Sequence, residues 1–413
     1  MKLKSEFLNE IYSRGFIYQS SELESLDSLV SKNKITAYIG FDITSDSLHI
    51  GSLVQLMLLN WLEIYGHCPI ALVGGGTTLV GDPSGKDSTR RIMSLEEINK
   101  NIKKIEQTFT QFISINKCGS IINNYDWLAK LNYVDFLRDI GSKLTLNKML
   151  TYESVKNRLD REQPLTFLEF NYMLLQAYDF YHLRKNFNCV LQMGGSDQWG
   201  NIINGIDLIK KILKKDAYAI TSPLITNSDG SKMGKTAKGA IWLDKAKLSN
   251  FEFYQFWRNV SDDSVESFLK LFTKISLDEI KKLSKLKGRE INEAKKILAF
   301  EVTKICRGVK SANEAEEIAK NLFSIKKIDD RLPSFEIQSS FIASSEFSIL
   351  DAIEKLNLSK SRSDTKRLIK SKGIKINEEI YNSNDLSLKI YANNPELKIS
   401  VGKKNIGILK IKK

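Results

Sequence analysis

Polar residues suited to binding phosphate lie where a predicted strand passes into a predicted helix near the start of the chain. Residues 35–40 have the β-branched and aromatic character of a buried strand, and apolar residues recur at helical spacing over residues 51–65. Thr44, His49 and Gly51 lie at the edge between these two elements. Because the free amide groups at the start of a helix favour a bound anion, this turn predicts a nucleotide phosphate site.

Two glycine-rich loops supply cations and hydroxyl groups. The first, residues 74–90, reads G-G-G-T-T-L-V-G-D-P-S-G-K-D-S-T-R, and the second, residues 228–236, reads S-D-G-S-K-M-G-K-T. Their candidate reactive side chains are Lys86, Arg90, Lys232, Lys235 and Thr236. Loops of this composition are flexible, so their cations could close on a negatively charged group. The alternative for the second loop is a solvated turn.

A helix predicted over residues 167–181 carries a polar stripe on an otherwise apolar surface. Tyr172, Gln176 and Asp179 follow one another at spacings of four and three residues, which places them on one face. A polar face on a buried helix must meet a cavity, a partner or a ligand. The alternative is a satisfied hydrogen-bond network within the core.

Strands alternate with helices across the first half of the chain. Buried strands are predicted at residues 35–40, 67–73, 120–123 and 190–193. The last of these ends in G-G-S-D-Q-W-G, another glycine-rich turn, which carries a carboxylate and an amide. The alternation predicts an α/β fold with a Rossmann-like, doubly wound parallel sheet.

The sequence pattern changes at several places, and the length allows two or three domains. An α/β domain is predicted for residues 1–246, in which residues 1–34 form an amphipathic helix and a connecting segment, and an α-helical domain for residues 247–328. Residues 329–346 lack periodicity and contain a proline, which predicts a linker. A small α+β module is predicted for residues 347–413, with two short helices opened by Ser-x-x-Asp boxes and then alternating strands.

The composition limits the environment in which the protein works. Four cysteines lie far apart without a C-x-x-C pair, so neither a disulfide framework nor a zinc site is expected. No segment approaches the roughly 18 apolar residues of a membrane span, and the first residues lack a secretory apolar run. We expect a cytoplasmic protein that makes no membrane contact and holds no protein-bound metal.

The positive charge is concentrated near the end of the chain. The net charge is +13, and residues 347–413 hold 15 Lys and Arg against 7 Asp and Glu, which leaves 15 − 7 = +8 in that segment. Such a bias indicates a surface for RNA or DNA. The alternative is a lysine-rich composition imposed by an AT-biased genome.

Several of these segments resemble those of one enzyme family. D-S-L-H-I-G-S resembles the HIGH signature of class I aminoacyl-tRNA synthetases, and K-M-G-K-T resembles the KMSKS variant of bacterial tyrosyl-tRNA synthetases. G-D-P-S-G-K, Y-M-L-L-Q-A-Y-D, G-G-S-D-Q-W-G-N and A-I-W-L-D add four matches in the family's order. The resemblance covers essentially the whole chain, because the tail is similar to the αL-type RNA-binding module of these enzymes.

The resemblance implies a tyrosine–tRNA ligase. Such an enzyme activates L-tyrosine with ATP to tyrosyl-adenylate and pyrophosphate, then transfers tyrosine to the 3′-terminal adenosine of tyrosine tRNA. The substrate carboxylate attacks the α-phosphate itself, so catalysis rests on alignment and on stabilising charge on the departing pyrophosphate. The residues implied for this catalysis are Thr44, His49, Lys86, Arg90, Lys232, Lys235 and Thr236.

The family pattern also implies the substrate contacts. The tyrosine site would comprise Tyr38, Asp82, Tyr172, Gln176, Asp179 and Gln192, with Tyr38 and Asp179 on the phenolic hydroxyl. The ATP site would comprise Gly40, Asp42, Gly51, Ser52, Gly195, Asp197, Gln198 and Lys235, and Mg²⁺ would accompany ATP. Two positions depart from the pattern, since Ser52 replaces the last histidine of HIGH and Ile39 replaces the cysteine of some relatives. We expect these departures to alter ATP affinity without abolishing activity.

The implied partners are a second copy of the chain, paired through the catalytic domain, and a tyrosine tRNA that lies across both subunits. The tRNA contacts implied for the C-terminal module are Arg362, Lys366, Arg367 and Lys370. The alternative for these four residues is a soluble helix face.

Two other functions stay open. A tryptophan-specific relative is disfavoured by the pair Tyr38 and Asp179, by the form K-M-G-K-T and by the basic tail. A non-catalytic RNA-binding protein on a synthetase scaffold could tolerate a decayed phosphate site, whereas the cations and hydroxyls of that site are all present.

Overall fold

The structure of the chain is a computed structural model. It describes residues 3–82, 93–115, 118–225, 233, 235–236, 239–323, 332–344, 347–382, 386–402 and 405–412. The chain divides into two compact units, Met1–Asn313 and Glu314–Lys413.

The first unit is built on a six-stranded sheet. Its strands among the described residues are β1 (Gln19–Ser20), β2 (Thr36–Asp42), β3 (Cys68–Gly74), β4 (Ser120–Asn123), β5 (Cys189–Gly195) and β6 (Tyr218–Ser222). The order across the sheet is β1-β6-β5-β2-β3-β4, and β2 to β6 are parallel. A separate antiparallel pair consists of β7 (Lys235–Thr236) and β8 (Gly239–Ala240). The four strands predicted from the sequence are therefore present as β2, β3, β4 and β5.

The helices connect these strands and then continue beyond the sheet. Among the described residues up to 323 they are α1 (Glu6–Ser13), α2 (Leu23–Val30), α3 (Leu53–Ile64), α4 (Thr77–Val80), α5 (Leu95–Phe109), α6 (Tyr125–Leu128), α7 (Tyr133–Asp139), α8 (Leu146–Leu150), α9 (Glu153–Asp160), α10 (Phe167–Asn186), α11 (Trp199–Leu213), α12 (Asn250–Arg258), α13 (Val265–Phe272), α14 (Leu277–Leu283) and α15 (Ile291–Phe323). Single 3-10 turns lie at Ile50–Ser52, Gly141–Lys143, Ser196–Gln198 and Asp262–Ser264.

The N-terminal segment adds an edge strand that the sequence pattern did not reveal. β1 pairs antiparallel with β6, so the sheet is mixed rather than wholly parallel. A strand of two residues is too short to show alternation, and its pairing partner lies about 200 residues away in the sequence. The same segment contains α2, whose Asp27 carboxylate accepts hydrogen bonds from the backbone amides of Lys4 and Ser5. The α/β class is confirmed with this correction.

The region predicted to be helical is helical from α12 through α15. Its core surrounds Trp257, a fully buried side chain that contacts Phe253, Phe268 and Phe272. The helix α15 is interrupted at Gly308, where φ is +85° and ψ is 161°. Only glycine adopts this backbone region readily, so the break is encoded by that residue.

The second unit contains a five-stranded sheet of order β11-β10-β12-β13-β9. Its described elements are β9 (Ser334–Gln338), α16 (Ser339–Ala343), α17 (Ile349–Lys355), α18 (Arg362–Lys370), β10 (Ile374–Ile376), β11 (Glu379–Ile380), β12 (Glu396–Val401) and β13 (Asn405–Lys412), with a 3-10 turn at Lys389–Tyr391. A reciprocal capping box joins Ser348 and Asp351 at the start of α17, while Ser361 accepts from the Asp364 amide at the start of α18.

The structure differs from the predicted linker over part of its length. β9 and α16 lie within residues 329–346, and β9 pairs in parallel with β13. The strand has alternating exposure along S-F-E-I-Q, but its partner is the last strand of the chain. The short alternation was not recognised as a strand because the sequence does not show this distant partner.

Among the residues that the structure describes, no helix is both long and apolar enough to span a bilayer.

Candidate active site

A cavity of about 420 Å³ opens at the carboxyl ends of β2 and β5. From β2 the sheet continues to one side through β3 and β4, and from β5 it continues to the other side through β6, so the strand order reverses between β2 and β5. Ligands of open α/β sheets bind at such a switch point. The predicted site residues that line the cavity are Tyr38, Gly40, Asp42, Thr44, His49, Gly51, Ser52, Asp82, Tyr172, Gln176, Asp179, Gln192, Gly195, Asp197 and Gln198. The cavity therefore brings together all tyrosine-site predictions and every ATP-site prediction except Lys235.

The charge of the cavity wall is strongly one-sided. Four carboxylates line it, from Asp42, Asp82, Asp179 and Asp197, while no Lys or Arg is among its described lining residues. A concave wall of one sign concentrates the opposite charge. This part of the site is suited to a cationic group such as an ammonium.

Tyr38 lies on β2 with its side chain directed into the interior. The residue is 1% exposed, and its ring lies 5.4 Å from that of Phe180. Its hydroxyl has no hydrogen-bond partner among the described residues. Burial, together with the nearby Asp179 carboxylate, raises the pKa of Tyr38 well above its ordinary value. Since an unpaired buried hydroxyl costs free energy, the group is available to a polar atom of a ligand.

Asp179 extends from α10 and is held by two donors. The side-chain amide of Asn124 and the indole of Trp127 donate to its two oxygens, each over 2.8 Å. Burial raises the pKa of Asp179 to about 7, although these two donors act in the opposite direction. The carboxyl group thus changes protonation near neutral pH in the ligand-free protein.

Asp42, at the end of β2, connects two walls of the cavity. Its carboxylate accepts from the Thr77 hydroxyl over 2.8 Å and from the Tyr172 hydroxyl over 3.0 Å. Thr77 in turn accepts from Asn124 over 3.1 Å. Asp42 was predicted at the ATP site, and its hydrogen bond joins it to Tyr172, which was predicted at the tyrosine site.

A chain of amides connects the remaining polar residues. Gln198 donates to Asp82 over 2.8 Å, and Asn201 donates to Gln176 over 2.9 Å and to Gln198 over 3.2 Å. Gln192 on β5 is buried, and its side-chain oxygen has no partner within the described structure. The network holds the polar face of α10 in place and leaves one more acceptor for a ligand.

The opposite end of the cavity is formed by the turn before α3. His49 accepts a hydrogen bond at Nδ1 from the Gly51 amide over 2.9 Å. A Cβ atom added at Gly51 would lie 2.5 Å from the imidazole ring, so this close approach requires glycine. His49 also bridges to the backbone of Trp242, and their rings lie 6.3 Å apart.

Arg307 fixes the segment that contains Trp242. Its guanidinium donates to the carbonyls of Trp242, Leu243 and Leu248 over 2.9, 3.2 and 2.8 Å. It also lies 4.2 Å above the Phe253 ring. Burial lowers the pKa of Arg307 to about 10, which still leaves the group charged at neutral pH. Arg307, on α15, therefore fixes the backbone segment that pairs with His49.

The predicted loop cations have no described side chains. Lys86, Arg90 and Lys232 lie outside the described residues. For Lys235 and Thr236 the structure describes the backbone, which forms β7. In the described part of the chain, no group of three or more His, Cys, Asp or Glu side chains could hold a metal ion.

Sequence reasoning missed several polar residues that organise the cavity. Asn124 and Trp127 follow the end of β4, and Thr77 follows the end of β3. The position of these three residues directly after a strand could have predicted their place in the cavity, because the carboxyl ends of parallel strands meet at one edge of a sheet. Asn201 gave no such signal, since it lies inside α11.

Comparison with known proteins places the chain among tRNA synthetases. The family described as tRNA synthetases class I (W and Y) matches residues 30–324. A tyrosine–tRNA ligase from Wolbachia pipientis is 49% identical over 98% of this chain and 97% of its own length, and one from Pelagibacter ubique is 48% identical over 97% and 98%. A C-terminally truncated Aspergillus nidulans mitochondrial tyrosyl-tRNA synthetase matches 77% of this chain and 94% of its own, with a TM-score of 0.70 and 30% identity.

Two tyrosine-to-phenylalanine substitutions should have different effects on stability. Tyr172→Phe removes a hydroxyl that donates to Asp42, and we expect the free energy of unfolding to fall by about 1–3 kcal/mol. Tyr38→Phe removes an unpaired hydroxyl, so the expected loss is below about 0.5 kcal/mol.

Urea unfolding followed by tryptophan fluorescence measures this difference, because all five tryptophans lie in the first unit. Equal losses in the two variants would show that the Tyr38 hydroxyl is not an unpaired group.

Proposed function

We infer that the chain, which belongs to the class I aminoacyl-tRNA synthetases of the tryptophan and tyrosine group, acts as a tyrosine–tRNA ligase. It activates L-tyrosine with ATP and transfers the tyrosine to tRNA. The observation that carries this function is identity near one half with curated tyrosine–tRNA ligases over almost their full length. The carboxylate-rich cavity at the switch point of the sheet agrees with it. For the core we propose the Rossmann-like architecture, which the strand order supports.

We propose that Tyr38 and Asp179 recognise the phenolic hydroxyl of the substrate. The unpaired hydroxyl of Tyr38 and the buried carboxyl of Asp179 supply complementary donor and acceptor groups. Phenylalanine would leave both without the substrate's hydroxyl, and tyrosine-specific synthetases are themselves the established example of rejection by this means.

The α-ammonium group of tyrosine would lie among Asp82, Tyr172 and Gln176. The excess of carboxylates on the described wall supports a cation at this place. Gln192 would use its unpaired oxygen on the tyrosine side of the cavity. Because the same polar groups are joined by hydrogen bonds before any ligand enters, the site is preorganised.

ATP would bind toward the turn before α3. Thr44 and His49 would meet its phosphates, with Gly40, Asp42, Gly51 and Ser52 nearby, while Asp197 would accept from the ribose beside Gly195 and Gln198. Mg²⁺ would arrive with ATP, held chiefly by phosphate oxygens, as that ion prefers. The cations that stabilise pyrophosphate would be Lys86, Arg90, Lys232 and Lys235, with Thr236 as a hydroxyl donor.

The activation step distinguishes this function from its alternatives. Purified protein should catalyse ATP–pyrophosphate exchange with tyrosine and not with tryptophan or phenylalanine, because only tyrosine offers a phenolic hydroxyl to the proposed pair. An assay across the twenty amino acids measures this preference.

Exchange driven by tryptophan would instead support the tryptophan-specific relative. Binding of RNA without any amino-acid-dependent exchange would support a non-catalytic protein on this scaffold. Tyr38→Phe, with Tyr172→Phe as its matched comparison, tests whether the loss of discrimination against phenylalanine is specific to the phenol-binding pair.

The pKa of Asp179 predicts how tyrosine binding depends on pH. A phenol donates best to an ionised carboxylate, and the pKa of Asp179 is raised by burial to about 7 in the free protein. The ionised fraction therefore rises as pH rises through 7, and the KM for tyrosine should fall about tenfold between about pH 6 and pH 8.

Exchange rates at saturating ATP measure this KM. The KM for ATP over the same range is the internal control, since Asp179 is not proposed to contact ATP. A KM for tyrosine that stays constant across this range contradicts the assignment of Asp179 to the phenol.

We propose a homodimer formed through the first unit. Large apolar side chains are strongly exposed around α7, α8 and the start of α10, namely Tyr133 at 58%, Val134 at 69%, Leu146 at 56% and Phe167 at 69%. These elements share one buried cluster that includes Phe136, Met149 and Leu174, so the exposed groups belong to one region. An exposed apolar region of this kind supports a protein interface.

The second unit would be an αL-type RNA-binding module that contacts tyrosine tRNA. Lys366 and Lys370 are exposed and lie one turn apart on α18. Arg362 forms ion pairs with Asp351 and Glu354, and Arg367 pairs with Asp364. The two lysines thus offer charge that is less compensated than that of the two arginines. The cytoplasm, where tRNA is charged, is the proposed location.

Removing the two exposed lysines should weaken tRNA binding in a salt-dependent way. For Lys366→Ala/Lys370→Ala we expect the slope of log affinity against log salt concentration to decrease by roughly 1–2, because each phosphate contact releases about one counterion. Filter binding with tyrosine tRNA across a salt series measures the slope.

The control is tyrosine-dependent exchange without tRNA, which should keep its wild-type rate in this double variant. An unchanged salt slope, with the exchange rate intact, would exclude this helix face from the tRNA contact.

A further inference from the structure

Cys68, the first residue of β3, and Cys118, two residues before β4, lie at the end of the sheet away from the cavity. Ile70 of β3 pairs with Ser120 of β4 in a parallel ladder. Two residues before each of these positions lie Cys68 and Cys118. The ladder begins at Ile70 and Ser120, so the two cysteines come close together just before it, at the amino ends of β3 and β4. Neighbouring strands lie about 4.8 Å apart, which is within the range of Cα separations that a disulfide can span.

The side chains confirm that the two thiols meet. The nearby Cys118 contributes to the raised pKa of Cys68, and both thiols raise the pKa of the Lys34 ammonium, so the three side chains lie close together. The Cys118 thiol also donates to the His67 carbonyl over 3.4 Å. Both cysteines are partly exposed, so a small reagent can reach them.

The other two cysteines have a different environment. Cys189 is 0% exposed and Cys306 is 3% exposed. Burial raises the pKa of both thiols, that of Cys306 to about 12. Buried thiols of this kind are unreactive, which makes Cys68 and Cys118 a distinct pair.

We propose that Cys68 and Cys118 form a redox-active dithiol, which a low-molecular-weight disulfide such as oxidised glutathione converts reversibly into an intrachain disulfide. Reversible bridges of this type are those expected of proteins in a reducing compartment. The proposal concerns the amino end of β3 and does not depend on the ligase activity.

The order of the two steps follows from the surroundings of each sulfur. Burial, and then the neighbouring Cys118, raise the pKa of Cys68 to about 11, so Cys68 remains a thiol at neutral pH. We therefore assign the first attack to Cys118, which lies close to Lys34.

The reaction is a balanced thiol–disulfide exchange. The Cys118 thiolate attacks one sulfur of the small disulfide, whose S–S bond breaks, and the released thiolate takes up the proton that Cys118 lost. Cys68 then loses its proton and attacks the Cys118 sulfur, which expels the second small thiol. Two electrons and two protons pass from the protein to one small disulfide, giving one protein disulfide and two small thiols.

Oxidation of the full chain with oxidised glutathione tests the proposal. After treatment, denaturation and alkylation, the number of alkylated cysteines should fall from four to two, and peptide mapping should find Cys68 joined to Cys118. Dithiothreitol should restore four. The tyrosine-dependent exchange rate, measured in parallel, reports on the ligase function separately.

Three variants identify the roles of the residues. Cys68→Ser should stop at a glutathione adduct on Cys118, because the second step lacks its thiol. Lys34→Gln should slow formation of the bridge several-fold, since it removes the charge beside Cys118. Cys306→Ala is the matched control and should form the bridge at the wild-type rate.

The wild-type peptide map alone can overturn the proposal. Four alkylated cysteines after prolonged oxidation, a bridge between different cysteines, or disulfides only between separate chains would each exclude the pair. A glutathione adduct on Cys118 in the wild type that never proceeds to the bridge would also exclude it.

Discussion

Asp179 is only 2% exposed, and an ionised carboxyl group on a residue so deeply buried is stable only when hydrogen-bond donors compensate for the lost water. Asn124 and Trp127 supply those donors from the segment after β4. Asn124 is itself held, since its side-chain oxygen accepts from the Gly76 amide over 2.7 Å. The helix α10, the segment after β4 and the segment after β3 are thereby held together around one carboxyl group. The other polar residues of the cavity surround this group.

The sheet makes this arrangement possible. β2 and β5 lie side by side, and their carboxyl ends are where the two halves of the parallel sheet diverge. Tyr38 and Gln192 stand opposite one another in the β2–β5 register, and each has a polar atom without a hydrogen-bond partner among the residues that the structure describes. The helix α10 then adds its polar face above them. The backbone topology thus sets the position of these polar groups, and the side-chain network sets their orientation.

The sequence predicted those features that depend on residues close together in the chain, such as helix faces and buried strands. The spacing of Tyr172, Gln176 and Asp179 placed them on one helix face, and all three line the cavity. Four strands and the helical region were recognisable because each has its own periodicity. The contacts of Asn124 with Asp179 and the pairing of β9 with β13 were not, since each joins distant segments whose meeting depends on the whole fold. The roles of individual residues toward tyrosine and ATP came only from the family resemblance.

The break in α15 at Gly308 has a stereochemical consequence. An added Cβ there would find open space within 4 Å, so the glycine is required by backbone torsion and not by crowding. A φ of +85° with a ψ of 161° is the mirror image of ordinary extended backbone. A D-alanine placed at this position by chemical ligation would therefore carry no torsional penalty, whereas L-alanine would be strained by its backbone torsion although its side chain has room.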